Sequence, residues 1–598
     1  MEQPDVEKCS VSSGKDHVSA SPSYSTNAGG EPNYEETTII QPTVGRRLLD
    51  SFKRDPNRTA TPVGVIGSNG RVFDGKGAAN ATAASPLARK LKGRHLQMIA
   101  IGGSIGTGLF VASGKALESG GPASLLICYS LIGMMLYCTV HALGEMAVLF
   151  PVAGSFSAYS TRFLDPAWGF AMGWNYAMQW LAVLPLEIIS ASITINFWDH
   201  TKHNHAIFVT VFLVIIISIN LFGVKGYGEA EFFFSIIKVI AVIGYILLGI
   251  ILNIGGGPDG GYIGGELWNN PGAFHNGFKG LCSVFVNAAF AFAGTELVGL
   301  AAAETANPRK SLPTAIKQVF WRITLFYIVS LLLVGLLVRY DDPRLLVGGS
   351  ANAAASPFVI SIKNAGIEVL PSVMNAVILI AVISVGNSSI FGSSRTLAAL
   401  ADQGQAPKIL GYIDRKGRPL VAIGVASAIG FVAYAADAGA EGTVLDWMLA
   451  LSALSSIFTW GSICLAHIRF RKAWKLQGHT LDELAFRSQP GVIGSWIGFL
   501  FNCLVLIAQF WVGAWPVGYG SGSGAAQADN FFLNYLAAPI VILFYVWYKL
   551  WYKTPFMRCK DMDLQTGIRE LNLPELLAEE RAEKAAWPRW KKAYKLVC

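Results

Sequence analysis

The chain has 598 residues with 47 Lys+Arg and 39 Asp+Glu, so 14% is charged, against roughly 25% for a soluble domain. Hydrophobic residues make up 52% and the mean hydropathy is +0.43. Residues 1–94 hold 23 of the charges and 553–598 hold 17; the 46 left for the 458 residues between are too few for a soluble surface, which excludes a soluble multidomain enzyme and makes the middle a membrane domain. The net charge of +8 is no nucleic-acid signal, because positive charge accumulates in the cytoplasmic loops of membrane proteins.

Residues 1–94 are rich in Ser, Gly, Asn, Pro and Lys without sustained periodicity. They read as a mostly disordered cytosolic tail. The sequons Asn57-Arg58-Thr59 and Asn80-Ala81-Thr82 fall in it, where they carry little weight. The first 40 residues lack the apolar core of a signal peptide, so targeting is expected from internal spans. Twelve apolar stretches follow, near 96–117, 122–150, 168–198, 206–224, 229–254, 278–303, 319–339, 369–394, 419–436, 444–466, 493–515 and 530–552. Each is long enough to cross about 30 Å of hydrocarbon as a helix.

An even number of spans puts both tails on one side. Loops on the tail side, counted from Arg162 to Arg487 with Arg322 and Arg395 among them, carry 16 Lys and Arg. The opposite loops carry 5: Lys115, Lys202, Arg339, Arg344 and Lys363. The bias makes both tails cytosolic. Residues 95–552 are then one membrane domain of twelve stretches, and 553–598 a cytosolic tail. In that tail Pro574-Glu575-Leu576-Leu577-Ala578-Glu579-Glu580 reads as a short amphipathic helix at the membrane surface, ahead of a basic, Trp-containing end. Cys598 is either an acylation site or a plain terminal thiol. The eight Cys form no CxxC pair, so neither a disulfide framework nor a metal site is expected. His200, His203 and His205 read as a solvated outer turn.

The first stretch contains Gly102-Gly103-Ser104-Ile105-Gly106-Thr107-Gly108. Four glycines in a helix interior cost about 1 kcal/mol each. Two readings stand: a close-packing face of small residues, or a helix broken beside a cavity, where irregular backbone is tolerated. The sixth stretch contains Phe290-Ala291-Phe292-Ala293-Gly294-Thr295-Glu296, again a glycine in an apolar run, now with an acid. Interrupted helices in matching positions of two repeats point to a transporter binding site. Amides at a half-helix N-terminus suit a carboxylate, and carbonyls at a half-helix C-terminus suit an ammonium. Together they describe a receptor for an α-amino acid.

Glu145, Glu187, Lys238 and Glu296 lie within or at the ends of stretches, where ionisable groups are costly and mark function. Glu296 follows the sixth-stretch break, which favours a site role over a pair with an interior donor. Lys238 either exchanges a proton in a low-dielectric site or snorkels to the cytosolic face. Glu187, behind Pro185, is structural or proton-linked. Glu145 is expected to anchor the PVAGSFSAY loop that follows it. Ser384-Val385-Gly386-Asn387 in the eighth stretch and Ser452 to Trp460 in the tenth are runs of small residues, either packing faces or space left for a ligand.

The run GGSIGTGLF, ALGEMAVLFPVAGSFSAY at 142–159, FAGTELVGLAAAE at 292–304, NPRKSLPTAIKQVFWRITLFY at 307–327 and SVGNSSIFGSSR at 384–395 resemble the fungal amino acid permeases. These form the yeast amino acid transporter family of the amino acid–polyamine–organocation superfamily. The resemblance covers about 95–552, all twelve stretches, and is greatest to broad-range general permeases. It implies an all-α polytopic membrane protein of the leucine-transporter type, twelve transmembrane helices in a 5+5 inverted repeat plus two. It implies proton-coupled import of L-α-amino acids, with no cofactor and no metal, at the plasma membrane. It also implies membrane lipid as surroundings and ubiquitin-ligase or endocytic partners at the tails.

By position, the resemblance assigns the substrate carboxylate to Gly103, Ser104, Gly106, Thr107 and Gly108, with Ser104 standing where several relatives have Thr. It assigns the ammonium to carbonyls of Phe290, Ala291 and Ala293, with Glu296 beside it, and a gate to Phe292. Ser384, Val385, Asn387, Ser455 and Ser456 would face the side chain and set specificity. Lys238 stands where relatives carry a Lys near a sodium-like site, so Lys238, Glu296 and Glu187 would couple protons. Three competing readings remain: a narrower permease, for proline or neutral amino acids; an amino acid receptor that signals through its tails; and a membrane enzyme. The last would need convergent nucleophile and base groups or a metal cluster, and the sequence has neither.

Overall fold

A backbone crossing hydrocarbon must satisfy its polar groups internally, and helix does so within one segment. The computed structural model describes residues 44–54, 73–198, 204–258, 260–346, 356–438, 441–517, 524–569 and 573–588, and helices with no strand make up its regular structure. All twelve apolar stretches fall on helix. Among the described residues eight helices are long and apolar enough to cross a membrane: Ala112–Leu149, Pro166–Ile195, Gly223–Asn253, Gly277–Glu304, Pro308–Leu337, Leu370–Asp402, Val444–Leu476 and Gly491–Ala514. The pair Gln527–Tyr535 and Ala537–Tyr552, bent by 63°, makes a ninth if it is one span. The other three stretches are short or interrupted. His205–Leu221 has 17 residues, Leu420–Gly430 runs on into the tighter turns of Phe431–Ala438, and the first is broken after Gly102.

Local chemistry sets the ends. Pro166 and Pro308 open their helices, where a missing N–H costs nothing. Asp165 and Asn307 cap them, accepting from the Ala167 and Lys310 amides at 2.8 and 3.3 Å. The corner between the first two stretches is Gly121, at φ 80° and ψ 170°, followed by Pro122. Only glycine reaches that conformation without strain.

Burial separates inner from outer helices. The most apolar window of Gly277–Glu304 is 89% buried and that of Pro166–Ile195 83%, against 33% for Gly223–Asn253 and 28% for Gly491–Ala514. The outer helices turn Ile240, Leu247, Leu500, Leu504 and Leu550 outward. An apolar exterior of that extent belongs in lipid.

The described residues from 49 onward are one compact unit. Residues 73–94, read from sequence as disordered tail, depart from that expectation. Asp74 caps the helix Gly75–Ala83, which buries Ala78, Ala79 and Thr82. The Thr82 carbonyl accepts from the Ala153 amide at 3.1 Å, and Leu91 exchanges 3.0 Å bonds with Glu304 and Ala306. Small apolar residues hidden among polar neighbours made this segment hard to read. Residues 1–43 and 55–72, Asn57, His200, His203 and Cys598 lie outside the described residues. The C-terminal helix is Leu573–Ala586, longer than the heptapeptide expected, and Glu580 pairs with Arg309 at 2.8 Å.

Three further expectations change. Arg322 and Arg395, counted as loop cations, are 5% and 2% exposed. Arg395 pairs with Glu304 at 3.3 Å. Glu145 does not hold the loop after it. Its carboxylate takes Arg471 at 2.5 Å, His467 at 3.1 Å and the Ser488 amide at 2.7 Å, tying Ala112–Leu149 to the last turns of Glu441–Leu476 and to the segment after it.

Candidate functional site

The first stretch breaks where its glycines stand. The helix Gly93–Gly102 stops, Gly103 to Ile105 turn, and Gly106, at φ −155° and ψ −143°, leads into the half-helix Thr107–Phe110. Its opening amides lack intrahelical partners by geometry. The sixth stretch breaks likewise: Gly277–Phe292 ends, Ala293 is extended, Gly294 takes φ 95°, and Leu297–Ala301 resumes. A methyl group on Gly294 would run into the Gly103 carbonyl, and one on Gly108 into the Ala291 backbone. The two breaks therefore lie backbone against backbone, which favours the broken-helix reading over a packing face.

Side chains from other helices cover the carbonyls of the first break. Lys238 Nζ donates to the Gly102 carbonyl at 2.7 Å, and the Arg322 guanidinium donates to that of Ala100. The Tyr327 hydroxyl lies 2.9 Å from the Ser104 carbonyl and 2.8 Å from that of Ala291. Two of these donors are cationic, as the negative end of a half-helix favours. On the amide side, Thr107 Oγ1 donates to Glu187 Oε2 at 2.6 Å.

Glu296 caps the second break. It accepts from the Gly294 amide at 3.2 Å, from the Tyr176 hydroxyl at 3.1 Å and from Trp460 Nε1 at 3.2 Å, and is fully buried. Lys238 is fully buried as well, which removes snorkelling. The carboxylates facing it are Glu231 and Glu187. Glu231 accepts from Ser384 Oγ and Asn387 Nδ2, both at 2.7 Å. Sequence reading missed Glu231, although it lies in the fifth stretch on the same helix face as Ser235 and Lys238. It also missed Tyr327, which nothing in its local pattern marks.

Between the breaks is a cavity of about 20 Å³, lined by Gly103, Ser104, Gly106, Thr107, Gly108, Trp180, Val183, Glu187, Phe290, Ala293 and Val385. That is room for roughly one water. All five residues assigned to the carboxylate line it, with Phe290, Ala293, Glu187 and Val385. The other assigned residues sit around it. The Ala291 carbonyl faces Tyr327. The Phe292 ring packs against that of Tyr327, tilted by 31° with centroids 4.1 Å apart. Ser384 and Asn387 point to Glu231. Ser456 accepts from Gln179 at 2.8 Å, and the Ser455 carbonyl accepts from Asn175 at 3.0 Å, both on Pro166–Ile195. The Trp180 ring lies against Gly294 and Gly392.

Known proteins resemble this chain over most of its length. The amino acid permease family profile matches residues 95–561. The general amino-acid permease GAP2 of Candida albicans is 58% identical over 558 residues, 92% of this chain and 93% of that protein. The general amino-acid permease GAP1 of Saccharomyces cerevisiae is 55% identical over 566 residues, 92% and 91% of the two chains. The S-adenosylmethionine permease GAP4 of Candida albicans is 52% identical over 507 residues, 84% and 82%.

Proposed function

We propose that this chain, which belongs to the amino acid permease family, is a broad-range importer of L-α-amino acids driven by protons. It is a transporter, not an enzyme. One observation carries the reading: two helix breaks in backbone contact, with a half-helix N-terminus and the end of another helix facing one cavity. The substrate carboxylate meets the amides at Gly106, Thr107 and Gly108. The ammonium meets carbonyls at Phe290 and Ala293. Recognition through main-chain groups is blind to the side chain, which supports a broad range. A site of 20 Å³ must widen for any amino acid, and Val183, Val385 and Trp180 are the side-chain walls that yield.

Proton coupling belongs to the buried cluster of Lys238, Glu231 and Glu187. Lys238 holds the Gly102 carbonyl and Glu187 holds Thr107, so a change of charge in the cluster is felt on both sides of the first break. The coupling is reciprocal: a proton that favours substrate is favoured by substrate to the same factor. The protein sits in the plasma membrane with both tails cytosolic. His205–Leu221, Leu420–Gly430 with its extension, and the broken first stretch complete twelve spans, arranged as a 5+5 inverted repeat plus two.

The test is uptake of labelled amino acids in permease-deficient cells, with all twenty amino acids as competitors. Saturable uptake that most of them inhibit, and that a protonophore collapses, supports the proposal. Signalling without flux would make the chain a receptor, and inhibition by proline or a few neutral amino acids alone would make it a narrow permease.

A further inference from the structure

Span seven is not regular. The helix Pro308–Arg322 passes into a π-helical stretch, Ile323–Val329, before Ser330–Leu337 resumes the α form. Such widened turns are rare and frequently mark functional sites. Here the stretch turns Ile323, Phe326 and Tyr327 inward. Tyr327 is fully buried, and its hydroxyl is within hydrogen-bond reach of two carbonyls from the first and sixth stretches. Ser104 belongs to the first break and Ala291 to the last turn before the second. A phenol carries one proton, so the two carbonyls share it, and their separation is fixed by one atom. The ring is held in turn, 4.1 Å from Phe292 and 6.5 Å from Tyr129 between centroids.

We propose that Tyr327 is the positioning residue of the ammonium site: its hydroxyl ties the two breaks together and so sets where the neighbouring carbonyls stand. The inference rests on the amino acid reading above. Ala291 lies between Phe290 and Ala293, whose residues line the cavity while its own carbonyl turns to Tyr327. A hydroxyl that pins the middle of this segment orients the carbonyls on either side. Preorganised acceptors bind a cation without spending its affinity on ordering the site. The effect falls on the α-ammonium, which every amino acid carries, and not on the side chain or on the proton cluster at Lys238.

The experiment removes one atom and asks which part of the substrate notices. In cells that take up amino acids through this chain, competition by phenylalanine and by its des-amino analogue, 3-phenylpropionate, is measured for wild type, Tyr327→Phe and Tyr129→Phe. The Tyr129 hydroxyl has no hydrogen-bond partner among the described residues, so its removal controls for loss of a buried phenol in the same cluster. Tyr327→Phe should lower the preference for phenylalanine over 3-phenylpropionate about tenfold, the size of one buried hydrogen bond. It should do so alike for leucine and its des-amino analogue, with the pH profile of uptake unchanged. Tyr129→Phe should leave the preference as it was. Equal losses for amino acid and analogue, or an unchanged preference in Tyr327→Phe, overturn the inference while leaving transport established. Absence of wild-type uptake would instead overturn the functional reading. Should Tyr327→Phe fail to reach the surface, a fluorotyrosine at 327 keeps the shape and makes a stronger donor. The preference should then rise, and no change would equally refute the role of the hydroxyl.

Discussion

The two helix breaks solve the same problem in different ways. The second is capped from within: Glu296 stands two residues after Gly294 and accepts its amide, with Tyr176 and Trp460 completing the carboxylate's partners. The first has one local cap, the Ser104 hydroxyl at 3.0 Å from the Ala100 carbonyl, and is otherwise capped from a distance. Its exposed carbonyls are taken by Lys238, Arg322 and Tyr327, from two other helices. One break thus carries its own stopper, and the other depends on groups that can be withdrawn when a neighbouring helix moves or changes charge. The difference predicts that the sixth-stretch break is the more rigid of the two and the first the more responsive.

The largest effect should come from filling the first break. A β-carbon at Gly106 would strike the Val385 side chain, and a branched residue would also block approach to the Thr107 and Gly108 amides. Gly106→Val is expected to abolish uptake while surface biotinylation finds normal amounts of protein. Ordinary uptake kinetics in that variant would remove the carboxylate assignment. Next comes the self-capped break. Glu296→Ala leaves the Gly294 amide, the Tyr176 hydroxyl and the Trp460 N–H without an acceptor, at about 1–3 kcal/mol for each buried donor. It should lower the Tm of the purified protein as well as uptake. A Glu296→Ala protein of wild-type Tm would erase the contrast between the breaks.

Lys238→Met probes the distant cap. Wild-type uptake should be faster at an outer pH of about 5 than at about 7.5, because protons and substrate enter together and each favours the other. Without an exchangeable proton at 238 the variant should lose most of that slope, yet still bind substrate in competition assays. Uptake that is independent of pH, or that requires sodium, rejects proton coupling altogether. A slope that survives the substitution moves the coupling to Glu231 or Glu187.

How much of this the sequence disclosed follows the same division. Gly102 to Gly108 and Gly294 to Glu296 are local patterns, and both breaks were legible because glycine and an adjacent acid are unusual inside apolar helices. The span positions were legible for the same reason, since hydrophobic runs are local. What was missed is what only tertiary placement decides. Glu231 was overlooked although its spacing from Lys238 puts both on one face. Arg322 looked like a loop cation because it follows a polar stretch, yet the structure carries it inward onto Ala100. Residues 73–94 looked like tail because their buried residues are mostly alanines, joined only by Thr82 and the scattered Leu87 and Leu91. Ser384 and Asn387 belong to a helix that adjoins the cavity, but the face they occupy is that of Glu231.

That last distinction gives the smallest effect and a sharp test of where selectivity lies. Of the residues assigned to specificity, Val385 lines the cavity, while Ser456 is engaged by Gln179 across the interface with Pro166–Ile195. Val385→Leu adds one methylene to a wall that must recede as the site widens. It should therefore weaken uptake of bulky substrates such as phenylalanine by about 10-fold, the worth of a methylene in an apolar pocket, and leave glycine and alanine nearly unchanged. Ser456→Ala removes a hydroxyl that holds a neighbouring helix and not the ligand. Its effect should be within about threefold and equal for large and small substrates, the mark of a packing change. A competitor panel run on both variants separates the two. If Ser456→Ala changed the order of preference and Val385→Leu did not, the selective wall would lie on Glu441–Leu476, and the cavity between the breaks would hold the amino acid's head group alone.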